Sequence, residues 1–196
     1  MEPTIYNKPS IYKGAGIYKT GAEGGGGDGI YSVVIDNRVY PVTRVKTDNY
    51  DKYWISSNLF CTTGMTLDTH YKVNSSYHKF VYYHKNSLSL IRALLPEGWD
   101  LPTLDDYQKL LGAYGNGRGT YLNEIEGGLN SRGLDFFYSG FYSTHYSGPD
   151  WKYVGVNAMY PTADNFNKIF HLDNIIADIQ TFGEPGFYPY RACKNA

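Results

Sequence analysis

The N-terminal stretch limits what the rest of the chain can fold into. Ile5-Tyr6-Asn7-Lys8, Ile11-Tyr12-Lys13 and Ile17-Tyr18-Lys19 repeat an Ile-Tyr-polar unit every six residues, with Pro3, Pro9, Gly14, Gly16 and Gly21 between them. Six is a multiple of the strand period of two, so in an extended chain each Ile falls on one side and each Tyr on the other. Such a segment has too little apolar surface to fold alone, yet Ile5, Tyr6, Ile11, Tyr12, Ile17 and Tyr18 give it apolar hooks. Residues 1–23 therefore read as an extended anchoring or oligomerisation arm, adding as a strand to another surface or wrapping a partner subunit. Residues 24–29, Gly24-Gly25-Gly26-Gly27-Asp28-Gly29, read as a flexible linker. That leaves residues 30–196 as one domain-sized body.

Composition narrows the class of the body. The chain holds 21 Tyr and 22 Gly but few helix-favouring residues, which points to strand and loop. Its 18 basic and 19 acidic residues leave a net charge of -1, without the basic excess of a nucleic-acid binder. The start has no basic and apolar leader, and no apolar run reaches membrane-spanning length, so neither a secretion signal nor membrane insertion is expected. Cys61 and Cys193 lie far apart and match neither a disulfide framework nor a CxxC site. They read as two free, buried thiols made in a reducing cytoplasm.

Local patterns predict the first half of the body well enough to place its elements. Tyr31 to Ile35, the turn Asp36-Asn37, and Arg38 to Val45 read as a β-hairpin, and Trp54 to Leu59 as a strand or edge. Ser87 to Leu95 has a helical apolar stripe with Ser87 as N-cap and Pro96 as stop. A second helix starts at Thr103, with Asp106 completing an acidic capping box and Leu104, Tyr107, Leu110 and Leu111 on one face; Gly112 or Gly115 ends it. From Tyr121 to Ala196 the sequence predicts a long-looped region, with short β pieces at Trp151 to Val156, Lys168 to Leu172 and Tyr188 to Cys193.

Trp54-Ile55-Ser56-Ser57-Asn58-Leu59 and Pro96-Glu97-Gly98-Trp99-Asp100-Leu101-Pro102-Thr103 resemble the "W-x-x-x-N-L" and "P-x-G-W-x-L-P-T" signatures of the Fibrobacter succinogenes major paralogous domain. The closing Gly186 to Lys194 resembles that family's terminal "G-F-S-V-R-C-V-K" strand, and Gly128-Leu129-Asn130 with Tyr138 to Tyr142 sit where it has "G-F-N-x-L-x-G-G-Y-R". The resemblance covers about residues 30–196 and excludes the arm. It departs at Tyr107, where many relatives have Trp, and at Tyr153 to Asn157, where many read Trp-Ser-Ser. It implies an α+β, C-type lectin-like fold: two helices and a small twisted antiparallel sheet under a long C-terminal loop region. Formylglycine-generating enzymes and the variable proteins of diversity-generating retroelements resemble the same fold, in which loop variation alters binding while the scaffold stays put.

No catalytic constellation accompanies that resemblance, and neither a cofactor nor a metal is expected. A formylglycine-generating enzyme needs two nearby late thiols, whereas here Cys193 alone is late. His70, His78, His84, His145 and His171 contain no HxH or HxxxH pair. Asp105-Asp106 sit in a helix's first turn, where negative charge is favoured. The glycine run lacks the Lys-Ser/Thr of a phosphate loop. Asp164-Asn165 and Asp173-Asn174 offer oxygens to calcium, without the Glu-Pro-Asn or Trp-Asn-Asp arrangement of true lectin domains.

A contact surface is the remaining reading. Aromatics alternate with Ser, Gly and Asn across the region that the resemblance assigns to ligand binding, the mixture that paratopes use. The candidate ligand-binding residues are Tyr142, His145, Tyr146, Asp150, Tyr153, Asn157, Tyr160, Asn165 and Asn167, while Phe141 and Trp151 are assigned to the core. Arm, linker and leaderless body together suggest a phage fibre or adhesin subunit. It would be a homotrimer in the virion, held to other virion proteins by its arm and binding a host-surface glycan or protein. If a retroelement diversifies it, the varied positions lie between about Tyr142 and Asn174. A purely structural virion decoration protein and a bacterial cell-surface binding protein are the alternatives.

Overall fold

A computed structural model describes residues 17–18, 32–74, 80–114, 134, 136, 138–145, 148–173 and 176–196. In chain order they form β1 (Ile17–Tyr18), β2 (Ser32–Ile35), β3 (Arg38–Thr47), β4 (Tyr50–Ile55), β5 (Tyr71–Asn74) and β6 (Phe80–His84), then α1 (Leu88–Leu94), β7 (Trp99–Asp100) and α2 (Leu104–Tyr114). There follow β8 (Phe141–Ser143), β9 (Asp150–Lys152), β10 (Ala158–Pro161), β11 (Lys168–Leu172), β12 (Ala177–Thr181), β13 (Gly186–Tyr188) and β14 (Cys193–Asn195). The strands make a six-stranded sheet in the order β1-β2-β3-β4-β14-β7, a five-stranded sheet β5-β6-β13-β8-β9 and a three-stranded sheet β10-β11-β12. All of these pairings are antiparallel.

This architecture corrects the expected α+β, C-type lectin-like fold. The chain is mostly β, and its two helices are short, of seven and eleven residues. The region expected to be long-looped with three short β pieces carries β8 through β14, of which β11 coincides with the predicted piece at Lys168 to Leu172. For β10 the reason lies in burial: it is covered on both faces, so its sequence runs without the polar alternation that marks a half-exposed strand. No helix among the described residues is long and apolar enough to cross a membrane.

The expected hairpin is present as β2 and β3. Asp36 and Asn37 have φ of 48° and 61°, the left-handed pair that a two-residue type I′ turn requires. The Asp36 carboxylate also accepts from the Thr62 and Thr63 amides at 2.7 and 3.1 Å, tying the turn to the chain beyond β4. β1 pairs with the other edge of β2, Ile17 opposite Val33. Ile5, Tyr6, Ile11, Tyr12 and the glycine linker lie outside the described residues.

The two helix starts are built differently. Asp106 Oδ2 accepts from the Thr103 amide and hydroxyl, each at 2.9 Å, and the Asp106 amide returns a bond to Thr103 Oγ1 at 3.2 Å, so the capping box is reciprocal. Ser87 makes no side-chain cap; its hydroxyl donates to the His70 carbonyl at 2.7 Å, and a single 3-10 turn over Lys85–Ser87 precedes α1 instead.

Two hydrophobic cores fill the body, and single strands feed both. Along β4, Tyr53 and Ile55 enter one core while Trp54 enters the other; on β10 and β11, Met159 and Ile169 go one way, Tyr160 and Phe170 the other. Ala192 and Cys193 divide in the same manner. This alternation of buried side chains across a sandwiched strand separates the two interiors.

Candidate functional site

One face of the five-stranded sheet carries a row of rings. The register sets His84 opposite Phe187, Phe187 opposite Tyr142 and Tyr142 opposite Trp151, so the row crosses β6, β13, β8 and β9. Tyr142 meets Trp151 edge-on at 5.0 Å between centroids, and Trp151 lies 4.7 Å from Tyr82. Lys72, from β5, holds its ammonium 4.8 Å from the Tyr142 ring centroid and 5.9 Å from that of Phe187, and pairs with Asp68. The cation over these rings and their mutual edge contacts fix the row in place.

A turn beside this row presents a second feature. Tyr153 has φ of 56° and is 48% exposed, with its ring 6.0 Å from Phe141. Holding a non-glycine residue in the left-handed region costs about 1–2 kcal/mol. Hydrogen bonds impose it: the Val156 and Asn157 amides donate to the Tyr153 carbonyl at 3.0 and 2.9 Å, and the Gly155 amide to the Tyr138 carbonyl at 2.7 Å. The Gly140 amide donates to Asn157 O at 2.8 Å. Gly140, with φ of 58°, admits the close approach of the turn, since a Cβ there would lie 2.1 Å from the Lys152 carbonyl oxygen.

The far end of the turn is anchored by a buried histidine. His171 Nε2 is 2.9 Å from Asn157 Nδ2, and its Nδ1 is 3.2 Å from Asp178 Oδ1 and 3.0 Å from Gln180 Nε2. The ring thus bridges the Asn157 amide on one side and Asp178 with Gln180 on the other. Asn157 therefore positions the turn through His171.

The structure sorts the sequence-predicted residues. Tyr142, Asp150, Tyr153 and Asn157 come together on or beside the aromatic row, and Asp150 Oδ1 accepts from the Trp151 amide at 2.7 Å. His145 is exposed just past β8, its amide bonded to Ser143 Oγ at 3.2 Å. Asn165 and Asn167 are exposed in the turn before β11, where Asn165 Oδ1 accepts from the Asn167 amide at 3.1 Å. Tyr160 is corrected: it is fully buried on β10 and donates its hydroxyl to Asn58 Oδ1 at 2.7 Å, because β10 is covered on both faces. Tyr146 lies outside the described residues. Phe141 is core, whereas Trp151 is half-buried and part of the row.

Sequence reasoning missed Lys72, Phe187 and the His171–Asp178 pair. A register argument on Phe187 and Tyr142 could have found the ring row, but Lys72 comes from a strand with no local signal linking it to Tyr142. The acidic residues considered for calcium are engaged in backbone capping: Asp164 Oδ1 accepts from the Leu104 amide at 2.9 Å and Asp173 Oδ1 from the Ile176 amide at 2.7 Å. Burial, with the nearby Asp36 charge, pushes the Cys61 thiol up to about 12. Cys193 is pushed up too, first by burial and then by Asp106. Both are buried free thiols that stay protonated at neutral pH. Comparison with protein-family models, curated proteins and solved structures finds no match to this chain.

Proposed function

We propose that this chain is a non-catalytic binding protein, a phage fibre or adhesin subunit. It engages a host-surface glycan or protein through the Tyr142–Trp151 row and the Tyr153 turn, with its N-terminal arm joining it to other virion proteins or to sister subunits in a trimer. The observation that carries this reading is Tyr153, a large ring kept half exposed on a backbone conformation that a tyrosine adopts only at a cost. A residue serving the fold alone gains nothing from that arrangement. Tyr and Trp rings give wide contact area for little lost rotamer freedom, and sugar faces and protein epitopes both use them. The neighbouring Val156, 59% exposed, widens the apolar tip.

Fluorescently labelled protein added to candidate host cells tests this. Saturable binding by the wild type, reduced at least about tenfold in a Tyr142→Ala/Tyr153→Ala variant of unchanged circular dichroism, is the expected result. Folded wild-type protein that binds no candidate host, or a variant that binds equally, overturns it.

A further inference from the structure

A groove of about 550 Å³, sharing no residue with the aromatic row, lies between the β2–β3 hairpin and the segment after β4, lined by Arg38, Val39, Tyr40, Ser57, Asn58, Phe60 and Phe80. Ligand sites commonly enclose about 300–1,000 Å³. Arg38 is its cation. The Arg38 guanidinium lies 3.5 Å from the centroid of the Phe60 ring, so the side chain is laid flat before any ligand arrives. Stacking on a ring face occupies the plane of a guanidinium and leaves its N–H edges free. The nearest acidic neighbour in sequence, Asp36, accepts from the Thr62 and Thr63 amides and attracts Arg38 through space, but Arg38 belongs to none of the ion pairs among the described residues.

The walls complete the chemistry. Val39 is 46% exposed, and with the half-buried Phe60 and Phe80 rings it offers apolar surface above the buried Tyr40. The half-buried Ser57 adds a hydroxyl. Asn58, buried beneath, accepts from Tyr160 through Oδ1 and has an Nδ2 without a hydrogen-bond partner among the described residues. Tyr40 Oη already accepts from the Phe60 amide at 2.9 Å, which fixes the ring wall. One preorganised fork donor, a hydroxyl and ring faces form a set that suits an anion carried on a compact hydroxylated body.

We propose that this groove binds a carboxylate-bearing sugar residue, with the carboxylate on the N–H edge of Arg38 and the sugar face on Phe80 and Val39. The site goes beyond the function proposed above and does not depend on it. The probe is sodium glucuronate, titrated calorimetrically into the full chain at constant ionic strength, with glucose and acetate in parallel. Saturable glucuronate binding is expected, with glucose, which lacks the carboxylate, and acetate, which lacks the ring, each weaker by about tenfold or more. Arg38→Gln should lose about tenfold to a hundredfold, Arg38→Lys should keep part of the affinity, and Tyr153→Ala should leave it unchanged. An oligo-uronate arm separates the sources: tighter binding than the monomer identifies an acidic polysaccharide, equal binding a free sugar acid. No saturation up to tens of millimolar, equal affinity for glucose and glucuronate, or an Arg38→Gln variant that is folded and binds like the wild type overturns the proposal.

Discussion

The two cores of this protein use tyrosine and charge differently. In the core that contains Ile55 and Ile91, tyrosine hydroxyls at the margin act as fasteners: Tyr40 Oη accepts from the Phe60 amide at 2.9 Å, Tyr83 Oη from the Cys61 amide at 2.5 Å, and Tyr188 Oη donates to the Glu184 carbonyl at 2.5 Å. Of its buried hydroxyls, Tyr190 alone is without a partner among the described residues. The core around Trp54 and Phe170 instead borders two buried charged residues. Asp106, 4% exposed, pairs with Lys52 at 2.6 Å, and Arg191 is fully buried, with one hydrogen bond, to the Ile55 carbonyl at 3.2 Å. Arg191 Nε and Nη2 and the Tyr107 hydroxyl have no hydrogen-bond partner among the described residues. Rings compensate in part: the Arg191 guanidinium is 4.0 Å from the Phe136 centroid, and Tyr107 stacks on Phe170 at 4.8 Å. Among the described residues the first core leaves the Tyr190 hydroxyl unpartnered, whereas the second satisfies Asp106, Tyr50 and Tyr160 yet leaves the Tyr107 hydroxyl and part of Arg191 unpartnered.

Removing the Asp106 charge should give the largest effect. Burial pushes the Asp106 carboxyl up, but bonds from Lys52 and Thr103 more than offset it, so its folded pKa lies below the ordinary value of 3.8. Asp106→Asn strips Lys52 of its partner and weakens the cap of α2, for an expected loss of about 2–4 kcal/mol in urea unfolding. A carboxylate with a depressed folded pKa stabilises fully above its unfolded pKa and less as pH falls through the folded one. Wild-type stability should therefore drop as pH falls below about 4, and the Asn variant should lack that component. A variant as stable as the wild type with the same acid limb would show that the charge contributes nothing to this core.

Arg191 should behave in the opposite way. Arg191→Met removes a buried cation whose Nε and Nη2 are unpartnered and keeps a long apolar chain against Phe136 and Tyr160. Replacing buried charge by apolar volume is often neutral or stabilising. The lost bond to Ile55 and the lost cation–π contacts oppose the gain, so the expected change runs from none to a gain of about 2 kcal/mol. A loss larger than that would mean that the guanidinium is paired after all and that the two cores are alike.

The same contrast explains how much was legible in the sequence. Features set by neighbours along the chain were readable: the Asp36-Asn37 turn, the Thr103–Asp106 box and the bounds of β11 all follow from local chemistry. β10, which serves both cores, was not, because Tyr160 stands among apolar neighbours on either side and loses the period-two signature. Hence Tyr160 reads as surface, and β8, β10 and β12 are not predicted. The candidate site was legible in its tyrosines and asparagines, but Lys72 reaches Tyr142 through sheet order alone.

The smallest energy tests the functional claim most sharply. Tyr153 stands over Phe141, a member of the first core, so its ring could be there for packing or for contact. Tyr153→Ala removes the ring but keeps a side chain at a φ of 56°, and should cost about 0.5–1 kcal/mol of stability. Tyr153→Gly removes the same ring and relieves the backbone, with the added freedom of the unfolded glycine setting a limit on the gain. It should be about 1 kcal/mol more stable than the Ala variant, and at least as stable as the wild type. Cell binding should fall equally in both, because the lost ring is common to them while the strain is not. Stability and binding then move apart in the glycine variant, the signature of a residue kept strained for contact. If Tyr153→Gly instead lowers stability as much as Tyr153→Ala and leaves binding intact, the ring belongs to the first core and the surface reading of this turn fails.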